Sequence, residues 1–230
     1  MIEPFSKARA RMVWNQLEHR GIRDSRVLLA MGNIPRERFI RHATCQPITD
    51  PYADCARPVG RGQTLSQPYM VAAMTQALQI PKGARVLEIG TGTGYQTAVL
   101  AHIATEVWTV ERDPVLASEA KERLDDLGLK HVRIRVGDGS LGWKEGSPYQ
   151  GILVTAGAPQ IPPSLIKQLA PRGCLVIPIG PHDQQQLVRV TLNPDGTISA
   201  RETLMECRFV PLIGHEGWRG AESWPPDVAP

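Results

Sequence analysis

With 230 residues, 42% of them hydrophobic and 21% charged, the chain has the composition of an ordinary globular protein and enough length for one core of roughly 200 residues with extensions. A net charge of +3, with Lys7, Arg9, Arg11 and Arg20 spread along one N-terminal stretch, excludes the cationic block that a nucleic-acid partner would require. No apolar run nears the roughly 18 residues of a membrane span, and the first residues lack a signal peptide's apolar core, so a cytoplasmic protein that uses neither membrane nor nucleic acid is expected.

Apolar residues Ala8, Met12, Val13 and Leu17 form one stripe, which predicts a helix over 6–19. Asp24 is placed to cap a second helix through Val27, Leu28 and Met31, with Gly32 as its stop. Pro35 then opens a short helix ending near Ile40. Residues 44–62 are rich in Pro, Gly and Asp and read as an irregular loop, of a length that compact proteins reserve for function. Pro68 starts a helix over 69–78.

From residue 85 strands and helices alternate. Strands are expected over 85–89, 106–111, 132–136, 151–155 and 174–179, interleaved with helices over 95–104, 114–127 and 163–169. Such alternation requires parallel pairing through right-handed crossovers, and so an α/β fold with a doubly wound, mostly parallel Rossmann-like sheet. The character then changes: 186–192 and 198–210, joined by Asn193-Pro-Asp-Gly196, read as an antiparallel hairpin. The chain therefore divides into N-terminal helices with a loop (1–80), an α/β domain (81–214) and a tail (215–230).

The stretch Val86-Leu-Glu-Ile-Gly-Thr-Gly-Thr-Gly-Tyr95 carries most of the chemistry. Glycines at 90, 92 and 94 let the backbone turn sharply and approach a ligand closely. The third glycine of a dinucleotide fingerprint would fall at Tyr95, whose ring argues against NAD or FAD. Glu88 would oppose a pyrophosphate but suits a cofactor with an ammonium and a sulfonium, as in S-adenosyl-L-methionine. Glu111, about 20 residues after Gly90, ends the second strand where two carboxylate oxygens could accept from ribose hydroxyls. Asp138-Gly139 ends the third strand, where a carboxylate and a free backbone N–H match adenine's amine and ring nitrogen. Three such strand ends in succession mark one nucleoside-cofactor site.

Other residues read as structural. His102 and His131 lie in a helix and at a strand start; Trp14, Trp108 and Trp143 suit core or rim positions. Cys174 and Cys207 sit in apolar runs, Cys45 and Cys55 could pair only across a folded-back loop, and no spacing of His, Cys, Asp or Glu suggests a metal.

The sequence resembles the protein-L-isoaspartate (D-aspartate) O-methyltransferases. The likeness rests on Gly62-Gln-Thr-Leu-Ser-Gln-Pro-Tyr-Met-Val71, the glycine loop through Gln96, Gly137-Asp-Gly139, residues 152–159 and 169–180, and Phe209-Val-Pro-Leu212. Leu65 stands where many relatives have isoleucine, and the tail after Gly214 has no counterpart. The resemblance implies methyl transfer from S-adenosyl-L-methionine, leaving S-adenosyl-L-homocysteine, to the free α-carboxylate of L-isoaspartyl residues in damaged peptides and proteins. It implies Ser66 at the acceptor carboxylate, Thr64 beside the cofactor, Glu111 on the ribose, Asp138 and Gly139 on the adenine, and Val210, Pro211 and Leu212 along the peptide groove, in a monomer. From its position alone Ser66 could equally cap the helix that Pro68 opens. A small-molecule or RNA methyltransferase, or a cofactor-binding module without catalysis, would share the same glycine loop.

Overall fold

A computed structural model of the chain describes residues 5–40 and 50–220. Helix α1 (Ser6–Arg11) continues into π-helical turns at Met12–Leu17 and a 3-10 turn at Glu18–Arg20. Met12 and Leu17 point inward, whereas Trp14 is 57% exposed, a rim residue. Helix α2 (Ser25–Asn33) is capped by Asp24, whose carboxylate accepts from the Arg26 N–H. Gly32 lies inside this helix and does not stop it. Pro35 does, because the residue before a proline is driven out of the helical region, and Ile34 is extended. A 3-10 turn, Arg36–Phe39, follows.

Part of the expected loop is ordered pairing: β1 (Arg57–Gly60) and β2 (Gln63–Leu65) form a small antiparallel hairpin turning through Arg61 and Gly62, both at positive φ. Residues 44–49, Cys45 among them, lie outside the described residues. Helix α3 (Pro68–Ala77) begins on its proline. Then come β3 (Arg85–Ile89), α4 (Tyr95–Ala101), β4 (Glu106–Glu111), α5 (Pro114–Asp126), β5 (Val132–Val136), β6 (Tyr149–Val154), α6 (Pro163–Lys167), β7 (Leu169–Ile179), β8 (Gln185–Leu192) and β9 (Ile198–Cys207). Asp113 caps α5 by accepting from the N–H groups of Val115 and Leu116, with Pro114 at the first helical position.

The seven-stranded sheet runs β5-β4-β3-β6-β7-β8-β9, parallel up to β7 and antiparallel through β8 and β9. Side-chain alternation divides the core between its two faces. Val86, Leu153 and Val176 pack with the N-terminal helices, α3 and α4. Leu87, Ile152 and Leu175 pack with Leu165 of α6 and with Trp108 and Trp143. The N-terminal helices thus share one core with the sheet. The order of strands reverses between β3 and β6, and in open sheets the ligand crevice lies beyond the carboxyl ends of the strands at that point.

Leu175 is wholly buried on a central strand, while Leu29 is 66% exposed. Urea denaturation of Leu175→Ala should show a loss of about 2–5 kcal/mol, against about 0.5 kcal/mol or less for Leu29→Ala. Equal effects would contradict this placing of the core.

Candidate functional site

At the reversal point opens a cleft, the place where ligands of such sheets bind. Its floor is the glycine loop after β3, and its walls are residues 63–66, 111–112, 155–156 and 209–213, with Gly139 between them. Gly90 has φ +95°, and a Cβ there would lie 2.3 Å from the Thr155 hydroxyl. That hydroxyl donates to the carbonyls of Ile89 (2.9 Å) and Gly90 (2.7 Å), tying the loop to the end of β6. Gly139 is equally crowded, since a Cβ would meet Ile89 Cγ2 at 2.5 Å. Tyr95 directs its ring below the loop into the core, edge-on to Phe39 with centroids 5.4 Å apart.

Glu111 ends β4 at the cleft wall, 6% exposed. Its Oε2 accepts from the Gly92 N–H at 2.8 Å and Oε1 from the Asp113 N–H at 3.0 Å. Each oxygen has a second lone pair left for a ligand hydroxyl. The carboxylate therefore shapes the glycine loop and offers a fork to a ribose.

Glu88 occupies a different position from the one expected. It faces the core side of β3, fully buried, and does not reach the cleft. Its Oε2 accepts from Thr97 (2.5 Å) and Thr109 (2.7 Å), and Thr91 on the cleft wall shares a 2.7 Å hydrogen bond with Thr109. Burial pushes this carboxyl up to about 8, the hydroxyls of Thr97 and Thr109 pull the other way, and the charge of Glu111 adds to the rise. At neutral pH Glu88 is therefore protonated. It supports the floor of the loop without presenting a negative charge to a cationic ligand.

Asp138 is also set apart from the cleft, although Gly139 lines it. Oδ1 of Asp138 accepts from the Ser140 N–H and hydroxyl, and Oδ2 from the His215 N–H at 2.7 Å. The carboxylate thus fastens the segment after Leu212 to the third strand end. The Ser140 hydroxyl accepts from the Glu216 N–H, Glu216 accepts from Ser164, and the Trp218 indole donates to the Gly157 carbonyl. Trp218 also stacks on His182, with ring centroids 3.9 Å apart.

Thr64 and Ser66 face the glycine loop from the opposite wall. Ser66 is not the cap of α3; Gln67 holds that position and makes no side-chain capping bond. The Ser66 carbonyl accepts from Arg36 Nη2 at 2.8 Å, so a buried guanidinium fixes the segment, and Ser66 lines the cleft. Val210, Pro211 and Leu212 form the third wall. The Gly157 N–H donates to the Val210 carbonyl and the Leu212 N–H to the Gly157 carbonyl, both at 2.8 Å. Phe209 is clamped by the Gln185 amide. This capture ends β9 at Cys207 instead of 210.

Thr155, Gln185 and Arg36 were not singled out from the sequence. Thr155 follows the apolar run of β6 and sits where a ligand-facing residue is expected; Gln185 and Arg36 carry no local pattern. His102 and His131 bond to the Ala98 and Ala101 carbonyls within the fold. Among the described residues no group of three or more His, Cys, Asp or Glu could hold a metal, and no helix is long and apolar enough to cross a membrane.

Residues 7–217 match the family model of protein-L-isoaspartate(D-aspartate) O-methyltransferase. A protein-L-isoaspartate O-methyltransferase of Protochlamydia amoebophila is 51% identical over 213 residues, covering 92% of this chain and 100% of that one. That of Trichlorobacter lovleyi is 49% identical over 215 residues, covering 94% and 97%. A solved protein-L-isoaspartate O-methyltransferase from Plasmodium falciparum, in complex with S-adenosyl-L-homocysteine, superposes with a TM-score of 0.74 at 25% identity, covering 89% of this chain and 98% of that one.

The Glu88 carboxyl moves from 4.5 when unfolded to about 8 when folded. The folded state binds the extra proton between those values, so the stability linked to it is complete near pH 4.5 and is lost as pH rises towards 8. Glu88→Gln should abolish that decline. Urea melts should find the variant closest to the parent at about pH 4.5 and increasingly more stable than it above that, by a few kcal/mol at about pH 9. Parallel pH profiles for the two proteins would show that Glu88 is ionised throughout.

Proposed function

This chain belongs to the protein-L-isoaspartate (D-aspartate) O-methyltransferase family, and we propose that the cleft beyond β3 and β6 is where it brings an isoaspartyl carboxylate to the methyl donor. The enzyme transfers the methyl group of S-adenosyl-L-methionine to the free α-carboxylate of isoaspartyl residues in damaged proteins. The ester then closes to a succinimide that can reopen as aspartate, which makes methylation the first step of repair.

One observation carries the site assignment. The Ser66 segment and the glycine loop face each other across a single cleft, and residues 209–213 complete it. The fit to the donor rests on the same geometry: Gly90 and Gly139 leave no room for a Cβ, and Glu111 keeps lone pairs for ribose hydroxyls. When bound, S-adenosyl-L-methionine supplies a sulfonium methyl open to in-line attack. Gly139 would lie against the adenine, with Asp138 acting on it through the strand end and not by direct contact. Thr64 would border the donor.

The acceptor is already anionic at neutral pH, so no general base is required and alignment is the main demand on the protein. Ser66 donates one hydrogen bond that aims the carboxylate oxygen and forms no covalent bond itself. Val210, Pro211 and Leu212 border the peptide groove, held at fixed height by Gly157. The free thiols of Cys55, Cys174 and Cys207 suit a reducing compartment such as the cytoplasm.

Labelled S-adenosyl-L-methionine should transfer its methyl to an isoaspartyl peptide and not to its aspartyl twin; equal labelling of both would defeat the reading. Ser66→Ala should lower turnover about 10- to 100-fold, the scale of one hydrogen bond to a charged group. Calorimetry should find its affinity for S-adenosyl-L-homocysteine nearly unchanged, and a large loss there would move Ser66 to the donor side. Glu111→Ala should weaken the same affinity by about 1.5–3 kcal/mol. An unaltered dissociation constant would remove Glu111 from the ribose.

A further inference from the structure

Arg36 is an unusual residue in this fold. Its side chain is 0% exposed, and arginine keeps its proton even when buried. Nε donates to the Pro51 carbonyl at 3.0 Å and Nη2 to the Ser66 carbonyl at 2.8 Å. The guanidinium carbon lies 4.9 Å from the centroid of the Tyr95 ring. Nη1 has no hydrogen-bond partner among the described residues, and no described carboxylate forms an ion pair with Arg36; residues 41–49 contain no Asp or Glu. Two carbonyl dipoles and a ring face offset part of the cost of burying this cation, but none of them neutralises it. Among the described residues no ion pair offsets this charge, which stands behind Ser66 and Tyr95, both lining the cleft; Arg9 and the Glu37 carboxylate also act on Tyr95, with opposite signs.

From this we infer that Arg36 is the fixed charge by which the cleft selects an anionic acceptor, acting through the Ser66 segment that it holds. The inference rests on the role given above to Ser66. Two other cations near the cleft are poor candidates, since Arg112 is exposed and Arg61 is half-exposed and paired with Asp113, while Arg57 lies near enough to Arg36 to reinforce its field. Water and salt screen such groups, whereas a buried charge acts through a poorly polarisable medium. Methyl transfer converts the acceptor carboxylate into a neutral ester, so the same charge holds substrate more firmly than product. Arg36 touches no reacting atom and is a positioning and specificity residue.

The test uses the whole chain saturated with S-adenosyl-L-homocysteine. Calorimetry compares an isoaspartyl peptide with its isoasparaginyl twin, in which a neutral carboxamide replaces the carboxylate. The unaltered protein should prefer the carboxylate about tenfold or more; Arg36→Gln should cut that ratio to about twofold, and Arg36→Lys should retain part of it. Equal loss of both peptides in Arg36→Gln would reduce Arg36 to a scaffold residue and overturn the inference. So would a fall in S-adenosyl-L-homocysteine affinity, which would assign the charge to the donor's own carboxylate.

A second measurement needs no variant and decides the matter if Arg36→Gln fails to fold. Between about 0.05 and 0.5 M salt, the carboxylate preference of the unaltered protein should change less than about twofold, because the cation is buried. A fivefold or greater fall would place the selecting charge on the surface and sink the proposal. Failure of the unaltered protein to methylate the isoaspartyl peptide would strike the function itself. Normal methylation with an unchanged preference in Arg36→Gln would strike Arg36 alone.

Discussion

A side chain at position 90 would have to share space with the hydroxyl of Thr155, and that exclusion fixes where the rest of the cleft can sit. The Thr155 hydroxyl bonds back to the Ile89 and Gly90 carbonyls, so β3 and β6 leave the sheet as one rigid pair. The glycine loop must then bend over their ends. Its next amide, that of Gly92, meets Glu111 from the neighbouring strand. Three strand ends are thereby locked by three hydrogen bonds, and the glycine loop brings its backbone to the cleft floor. Backbone surfaces suit a flat, polar nucleoside, since they approach closely and offer fixed donors without the entropy of side chains.

Two buried ionisable groups flank this floor, and each avoids the cost of burial differently. A carboxyl can discard its charge, and Glu88 does so by keeping its proton above neutral pH. A guanidinium cannot, so Arg36 keeps its charge and spreads it over carbonyls and a ring face. The asymmetry has a chemical sense. In the proposed site a neutral group beneath the loop would leave the donor's sulfonium charge unquenched, whereas a cation behind Ser66 would favour an anionic acceptor. The Thr91–Thr109–Glu88 chain of hydrogen bonds still links the cleft wall to the buried carboxyl, so the floor responds as one unit.

Much of this was legible in the sequence because it follows from periodicity and punctuation. The bounds of β3, β4 and β5 could be read residue for residue: β3 and β4 carry apolar runs, β5 alternates Val, Arg, Ile, Arg and Val, and Gly90, Asp113 and Gly137 follow closely. The glycine loop and Glu111 emerged from spacing, and the resemblance supplied Ser66 and residues 210–212. What could not be read is whatever depends on which way a side chain turns once the sheet is built. Glu88 alternates to the core face because β3 is a strand, and only the pairing with Thr109 of β4 shows what it meets there. The β1–β2 hairpin is masked by its Pro and Gly content, because a short strand pair joined by one glycine-bearing turn looks like a loop. Arg36 is the extreme case. Its importance comes from contacts with Pro51, Ser66 and Tyr95, far away in the chain and invisible to any local pattern.

The same reasoning relocates the end of the functional chain. The recognisable motif stops at Leu212, yet the structure carries the site's framework on to Trp218. Glycines at 214 and 217 explain why: a Cβ at 214 would meet Asp138 Oδ1 at 2.0 Å, and one at 217 would meet the Leu212 carbonyl at 2.2 Å. The chain can double back over the third strand end only because those positions lack side chains. In doing so it takes up Oδ2 of Asp138 and the hydroxyl of Ser140, whose own groups hold Oδ1. An acidic group at a strand end, which spacing alone would hand to adenine, is thus committed to holding the segment that carries the peptide wall. The third strand end and the segment that carries residues 210–212 are joined through that one carboxylate.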